Sequence, residues 1–189
     1  MLNALRYSHA CLSELIHKFP NGHYIDATLG NGHDIYTILS HPNFKGKVFG
    51  FDIQKEAIKR TQERLSKINK DNYELFWDSH ENISIHLSHI SELSGAIFNL
   101  GYLPGGDHHI TTTFTSTYKA LSALKEKLRP GGQIILVVYS GHPQGQKEKD
   151  QLLDHLESWS QKHYQVLHYS YINQKNNPPS CIIIERLKG

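Results

Sequence analysis

Between Asp26 and Asp34 the chain runs Asp-Ala-Thr-Leu-Gly-Asn-Gly-His-Asp, with a strand-like stretch, His23-Tyr-Ile, before it and a helix-like stretch, 35–40, after it. An acid at a strand end, a turn through Gly30 and Gly32 and a helix start together make a place for a nucleotide-like ligand. Glycines let the backbone turn tightly and come close to the ligand, and a helix start offers N–H groups with no partner inside the helix. The spacing is not the dinucleotide pattern G-x-G-x-x-G, because Ile35 stands where its last glycine would. Two glycines behind an acid suit a cofactor with no pyrophosphate to cradle. S-adenosylmethionine, which carries a charged amino-acid end and a ribose, is such a cofactor.

Four further segments carry polar groups at the ends of strand-like runs. Asp52 lies twenty-two residues after Gly30, where a carboxylate can accept both ribose hydroxyls of an adenosine; Ile53 can cover a face of the adenine, and Gln54 opens the next helix. Asp78-Ser79-His80 can read the adenine amino group or serve as turn residues. Asn99-Leu100-Gly101-Tyr102 resembles the N/D-P-P-Y/F quartet of methyltransferases that act on exocyclic amines. In that quartet the amide oxygen and the carbonyl after it accept hydrogens from the target nitrogen, so the nitrogen lone pair faces the methyl sulfonium, and the aromatic ring stacks on a flat substrate. Tyr139-Ser-Gly-His142 is the fifth segment, with Tyr139 as a platform for a base or as a packing residue.

The elements that must bring these segments together alternate. Helices are expected at 2–19, to 40, 54–69, around 83–88, 111–128 and 143–162. Strands are expected at 24–27, 47–51, 73–77, 95–100 and 133–139, followed by a directly joined pair at 164–172 and 181–186, with Pro130-Gly131-Gly132 as a turn. This pattern predicts an α/β fold: a Rossmann-like, seven-stranded, mainly parallel sheet whose last strand is antiparallel, with helices on both faces. Ligands in such sheets bind beyond the carboxyl ends of the strands, which gathers all five segments around one crevice. Asp26 and Asp34 are then placed to bracket the methionine ammonium, although Asp34 is equally suited to cap its helix.

The 189 residues suggest one domain, 1–189, with 38% hydrophobic residues and a mean hydropathy of −0.49 that leaves no long apolar run. Residues 1–16 lack the uninterrupted apolar core of a secretory leader, and two cysteines make neither a disulfide framework nor a metal cluster; a cytoplasmic location and no metal are expected. A net charge of +2 permits an RNA partner without demanding one. The basic residues Lys55, Lys59, Arg60, Arg64, Lys67 and Lys70 fit a solvated helix face with Glu56 and Glu63.

With those residues in hand, the chain resembles a bacterial family of class I S-adenosylmethionine methyltransferases, the rRNA methylase family of YtqB type. The likeness is carried by the 26–34 segment, Gly50-Phe-Asp-Ile-Gln54, Asn99-Leu-Gly-Tyr-Leu-Pro-Gly-Gly-Asp107, Thr111-Thr112 and Tyr139-Ser-Gly-His142, with Ser140 a departure from a smaller expected residue. The resemblance implies an enzyme that methylates the aminomethyl group of 5-aminomethyl-2-thiouridine at the tRNA wobble position, with the anticodon stem-loop as partner; a homodimer would widen the RNA footprint. Ribosomal RNA or another amine is the alternative acceptor. Cofactor contacts are expected from Asp26, Thr28, Gly30, Asn31, Gly32, His33, Asp34, Asp52, Ile53, Gln54, Ser79, His80, Asn99 and Leu100. Catalysis is expected from Asn99, Tyr102 and Asp107, and substrate contacts from Gly101, Tyr102, Tyr139 and His142. The proton acceptor for the substrate amine is open among Asp107, His108, His109 and His142, and His9 and Tyr7 are lesser candidates for substrate contact.

Overall fold

The structure is a computed structural model that describes residues 1–101 and 112–188. Tyr102, Asp107, His108, His109 and Thr111 lie outside the described residues.

Strands β1 (His23–Asp26), β2 (Lys47–Asp52), β3 (Tyr73–Trp77), β4 (Leu93–Leu100), β5 (Leu128–Val138), β6 (Tyr164–Tyr169) and β7 (Ser180–Arg186) form one sheet in the order β3-β2-β1-β4-β5-β7-β6. β1 to β5 pair in parallel, and β7 runs antiparallel to both β5 and β6. Helices α1 (Ala4–Lys18), α2 (His33–Ser40), α3 (Lys55–Leu65), α4 (Ile83–His86), α5 (Phe114–Lys127) and α6 (Pro143–Glu157) connect or flank them.

Neighbouring residues of each strand point to opposite faces, and the two faces bury separate clusters. Tyr24, Val48, Ile97, Ile135 and Ile183 pack with Leu12, Leu15 and Ile16 of α1, Ile35, Ile38 and Leu39 of α2, and Leu65 of α3. Their neighbours Ile25, Phe49, Phe98, Ile134 and Ile184 pack with Ile83 of α4, Ala120, Leu121 and Leu124 of α5, and Leu152 and Leu156 of α6. Strands buried on both sides are nearly continuous apolar runs, as in Ile134-Ile-Leu-Val-Val138. The seven-stranded expectation and the helices on both faces are thus borne out.

Several boundaries differ from expectation, among them α6, which ends at Glu157 rather than at 162, and β6, which ends at Tyr169 rather than at 172. α3 ends at Leu65 rather than near Asn69; Ala57, Thr61 and Leu65 are its buried residues, and Ile68 packs on the same cluster from beyond the helix. α5 starts at Phe114 on a capping box made by Thr113 and Ser116, not at residue 111. Pro130-Gly131-Gly132 is not a turn before β5 but an irregularity inside it: the register with β4 shifts between Leu93 and Gly95 while Gly131 takes φ +76°. Glycine tolerates that conformation, so the strand carries the bend without breaking.

The chain leaves β1 for β2 and β3 on one side and returns on the other side of β1 through β4 and β5. The β1–β4 boundary is therefore the point where strand order reverses, and the tips of these two strands, Asp26 and Asn99, flank it. Among the described residues no helix is long and apolar enough to cross a membrane.

Candidate active site

Asp26 is fully buried at the tip of β1, and its two oxygens accept from the Thr28 and Ile35 N–H groups at 3.2 and 3.0 Å. It ties the start of the glycine loop to the start of α2, so its work is on the loop's own backbone. Burial and then the nearby Asp34 push its carboxyl well above the usual range. Gly30 and Gly32 take φ of +55° and +72°. A Cβ at Gly32 would lie 2.9 Å from the Thr61 hydroxyl and 3.0 Å from its Cα, so α3 can approach the loop only because this residue is glycine.

Every strand tip around the loop holds it. The Gly30 N–H donates to Asp52 at 2.9 Å, and the other Asp52 oxygen accepts from Gln54 N–H at 2.9 Å. Burial raises the Asp52 carboxyl, opposed by those N–H groups. The Thr28 hydroxyl accepts from the Asn99 N–H at 2.7 Å, which fixes β4 against the loop. His80 is 7% exposed, packs edge-on against Phe98, and its Nδ1 donates to the Ala27 carbonyl at 3.1 Å; burial lowers its pKa, so it stays neutral. It supports the loop from beneath. The Ser79 hydroxyl accepts from Glu81 N–H. Asp78 accepts from His86 at 2.7 Å and from Asn82 at 2.9 Å, and the His86 bond is the main reason its carboxyl falls below the usual range.

On the outer side of the loop, two arginines do what the charge pattern did not announce. Arg60 pairs with Glu56 as a solvated helix face would, yet it also donates to the Asn31 side chain at 3.2 Å. Arg64 donates through Nε to the Asn31 carbonyl at 2.7 Å, and its Nη2 lies 3.2 Å from His33. Asn31 and His33 are thereby engaged with α3. Ile53 stays half-exposed, and its carbonyl accepts from the exposed Trp77 indole at 2.9 Å.

At the tip of β4, Asn99 Nδ2 donates to one oxygen of Asp34, and His9 Nε2 lies 2.6 Å from the other. Asp34 does not cap α2, whose N-cap is Gly32; it links α1 to β4. An ionised carboxylate only accepts, so the amide nitrogen of Asn99 must face it and Oδ1 must face away. The Asp34 bond raises the His9 pKa against the opposing effect of burial. The Leu100 side chain is 1% exposed, and its carbonyl accepts from Tyr139 N–H at 3.1 Å, so any contact it makes in the crevice is through the backbone. Tyr139 lies over Gly101, where a Cβ would stand 3.4 Å from the tyrosine Cβ; burial, and next the Asp34 charge, raise its hydroxyl pKa. His142 caps α6 by accepting the Gly145 N–H at 3.0 Å.

One closure was not visible in the motifs. Thr112 N–H donates to the Gly101 carbonyl at 3.0 Å, and the Gly101 N–H donates to the Thr112 hydroxyl at 2.9 Å. That hydroxyl donates to the buried Glu148 of α6 at 3.0 Å, and Glu148 also accepts from Thr117 of α5 at 3.1 Å. Among the described residues no group of three or more His, Cys, Asp or Glu side chains is arranged to hold a metal ion.

The donor set fits an adenosine. Asp52 is a partly exposed carboxylate at a strand tip, fixed by two backbone donors and flanked by the exposed apolar Ile53, which suits a vicinal diol beside a flat ring.

Comparison with known proteins agrees with this geometry. Residues 48–185 match the family model described as "Putative rRNA methylase". The chain belongs to this family. A family protein from Clostridium thermocellum, of known crystal structure, is 38% identical, covers 99% of both chains and superimposes with a TM-score of 0.90. A Streptococcus mutans methyltransferase solved in complex with S-adenosylhomocysteine is 35% identical, again over 99% of both chains, with a TM-score of 0.89. The architecture is accordingly the Rossmann-like class I methyltransferase fold expected from the sequence. The chloroplastic tRNA (mnm(5)s(2)U34)-methyltransferase of Arabidopsis thaliana is 37% identical over 154 residues, 77% of this chain; the chain spans 56% of that relative's length.

Proposed function

We propose that this chain is an S-adenosylmethionine-dependent N-methyltransferase that converts 5-aminomethyl-2-thiouridine to 5-methylaminomethyl-2-thiouridine at the wobble position of tRNA. The observation that carries the reading is Asn99. It stands at the strand-order reversal, its backbone is held to the glycine loop by Thr28, and its side-chain amide is turned so that Oδ1 is the outward end. An outward acceptor suits a target nitrogen that carries hydrogens. The name of the Arabidopsis relative supports the tRNA acceptor.

The cofactor supplies a methyl on a sulfonium, a leaving group that departs without a proton. What the chain supplies is alignment, which can account for most of the rate in such a reaction. Asp52 takes the ribose hydroxyls, Gly30 and Gly32 let the loop backbone come close, and Ile53 covers the adenine. Asn99 Oδ1 accepts a hydrogen of the acceptor amine and so aims its lone pair. Tyr139, and Tyr102 from the same motif, stack on the base. The same reading draws the acceptor for the ammonium proton from Asp107, His108, His109 and His142. Two copies of the chain would share the anticodon stem-loop.

The test compares turnover on an anticodon stem-loop carrying 5-aminomethyl-2-thiouridine with turnover on small-subunit ribosomal RNA. Methylation confined to the stem-loop is expected. Methylation confined to the ribosomal RNA would transfer the reading to that acceptor.

A further inference from the structure

The bond from His9 reaches the amide of Asn99 through a single carboxylate; the sequence offers His9 only as a lesser candidate for substrate contact, not as a partner of Asp34. We infer that His9 is a positioning residue for methyl transfer: acting through Asp34, it fixes the Asn99 amide with Oδ1 toward the acceptor amine. This rests on the proposed function, and deepens it by adding α1 to the active site.

The argument begins with the amide. An asparagine side chain has nearly the same shape either way round, but the two orientations are opposite in hydrogen bonding. With Oδ1 outward it accepts hydrogens from an amine; with Nδ2 outward it sets donor against donor and turns the nitrogen lone pair toward itself rather than toward the methyl group. Only a neighbour that is purely an acceptor can enforce the first orientation, and Asp34 is that neighbour.

Asp34 in turn needs His9. It is 6% exposed, and a carboxylate so far from water is costly without partners that match its charge. Its surroundings add to the cost. Asp26 of β1 lies close enough for the two carboxylates to repel, and the hydroxyl of Tyr139, just after β5, senses the same negative charge. His9 brings a matching N–H donor from α1, at 2.6 Å and on the oxygen that Asn99 leaves open. Two donors from two elements, one on each oxygen, hold the carboxylate plane and so transmit a fixed direction to the amide. His9 needs no contact with the substrate for this.

The experiment uses the full chain with His9→Ala, His9→Gln and Asp34→Asn. It measures single-turnover methyl transfer to tRNA at saturating cofactor, cofactor affinity by calorimetry, and melting temperature. His9→Ala is expected to slow transfer by about 10- to 100-fold, the scale of a misplaced reacting group, with cofactor affinity little changed and melting lowered because a buried carboxylate has lost a partner. His9→Gln, whose amide can still donate to Asp34, is expected to recover most of the loss. Asp34→Asn, which lets Asn99 settle either way round, is expected to lose at least as much as His9→Ala. The inference is overturned by transfer within about twofold of wild type in His9→Ala, by a parallel loss of cofactor affinity, or by a glutamine no better than alanine. A wild-type chain that binds the cofactor and methylates no tRNA refutes the functional reading instead. In that event the side-chain amide resonances of Asn99 still decide the geometry. One proton is expected to be shifted downfield by Asp34 and to move back in His9→Ala; a spectrum unchanged by that substitution overturns the inference.

Discussion

Asp26, Asp34 and Asp52 are the same residue type around one loop, and their partners give them three different tasks. Asp26 has given both oxygens to buried backbone N–H groups. Asp26→Ala should therefore destabilise the fold by about 2–4 kcal/mol, the cost of leaving buried donors unpaired, measurable by urea unfolding. Asp52 keeps partial exposure beside Ile53, so Asp52→Ala should weaken cofactor binding at least tenfold in calorimetry, whereas Asn99→Ala should slow transfer with little change in that affinity. Equal effects on affinity would contradict the division. His9 has its pKa raised by Asp34. The stability it contributes is full below the ordinary histidine value and is lost as the pH rises through its raised folded value. In an NMR titration Asp34→Asn should bring that value back down. At this scale the sequence was legible where a polar residue closes an apolar strand, as at Asp26, Asp52 and Asn99. The bonds of His9, Arg64 and Glu148 escaped, although the sequence names His9 for substrate contact, because their partners are 25, 33 and 36 or 31 residues away, and no local spacing encodes such a bond.

The elements explain why those distant bonds form. Period-two alternation assigns each strand residue to one of two helical layers, as at 24–25, 134–135 and 182–184, where residues apolar in succession leave the assignment to the folded sheet. Less legible was how a strand such as β5 passes through Pro130-Gly131-Gly132. Turn chemistry and bulge chemistry use the same residues, and only the pairing with β4 distinguishes them. The Asp78-Ser79-His80 segment was placed correctly but its roles were shared out differently: His86 and Asn82 take Asp78, and His80 goes under the loop. Glu148 fastens α6 to α5 and to Thr112, which pairs with Gly101. Burial raises its carboxyl above the ordinary glutamate value, so its charge penalises the folded state at neutral pH and the penalty fades as the pH falls through the raised value. Glu148→Gln should flatten the pH dependence of unfolding in the weakly acidic range. Glu148→Ala should lose about 2–4 kcal/mol, since it removes both threonine partners and leaves a cavity.

At the scale of the molecule, the reversal of strand order between β1 and β4 opens one crevice, and the tips of β1, β2 and β4 are bonded to its glycine loop. A ligand that binds only this folded arrangement stabilises it by mass action, about 2.7 kcal/mol at a hundredfold excess over the dissociation constant. For a chain of this size that is a rise in melting temperature of roughly 5–10 °C, expected with S-adenosylmethionine alone and without RNA. The net charge carried little about the acceptor, because phosphate recognition depends on where charge is clustered; the amine is an expectation raised by Asn99, and the tRNA one raised by the family resemblance. The central claim is the transfer of a methyl group to an exocyclic amine aimed by Asn99. Its most direct measurement uses S-adenosylmethionine with a deuterated methyl group and tRNA bearing 5-aminomethyl-2-thiouridine, followed by fragmentation of the product nucleoside in a mass spectrometer. The account predicts one labelled methyl on the aminomethyl nitrogen. A label on the ribose or a ring atom, or none on tRNA while ribosomal RNA is labelled, would contradict it.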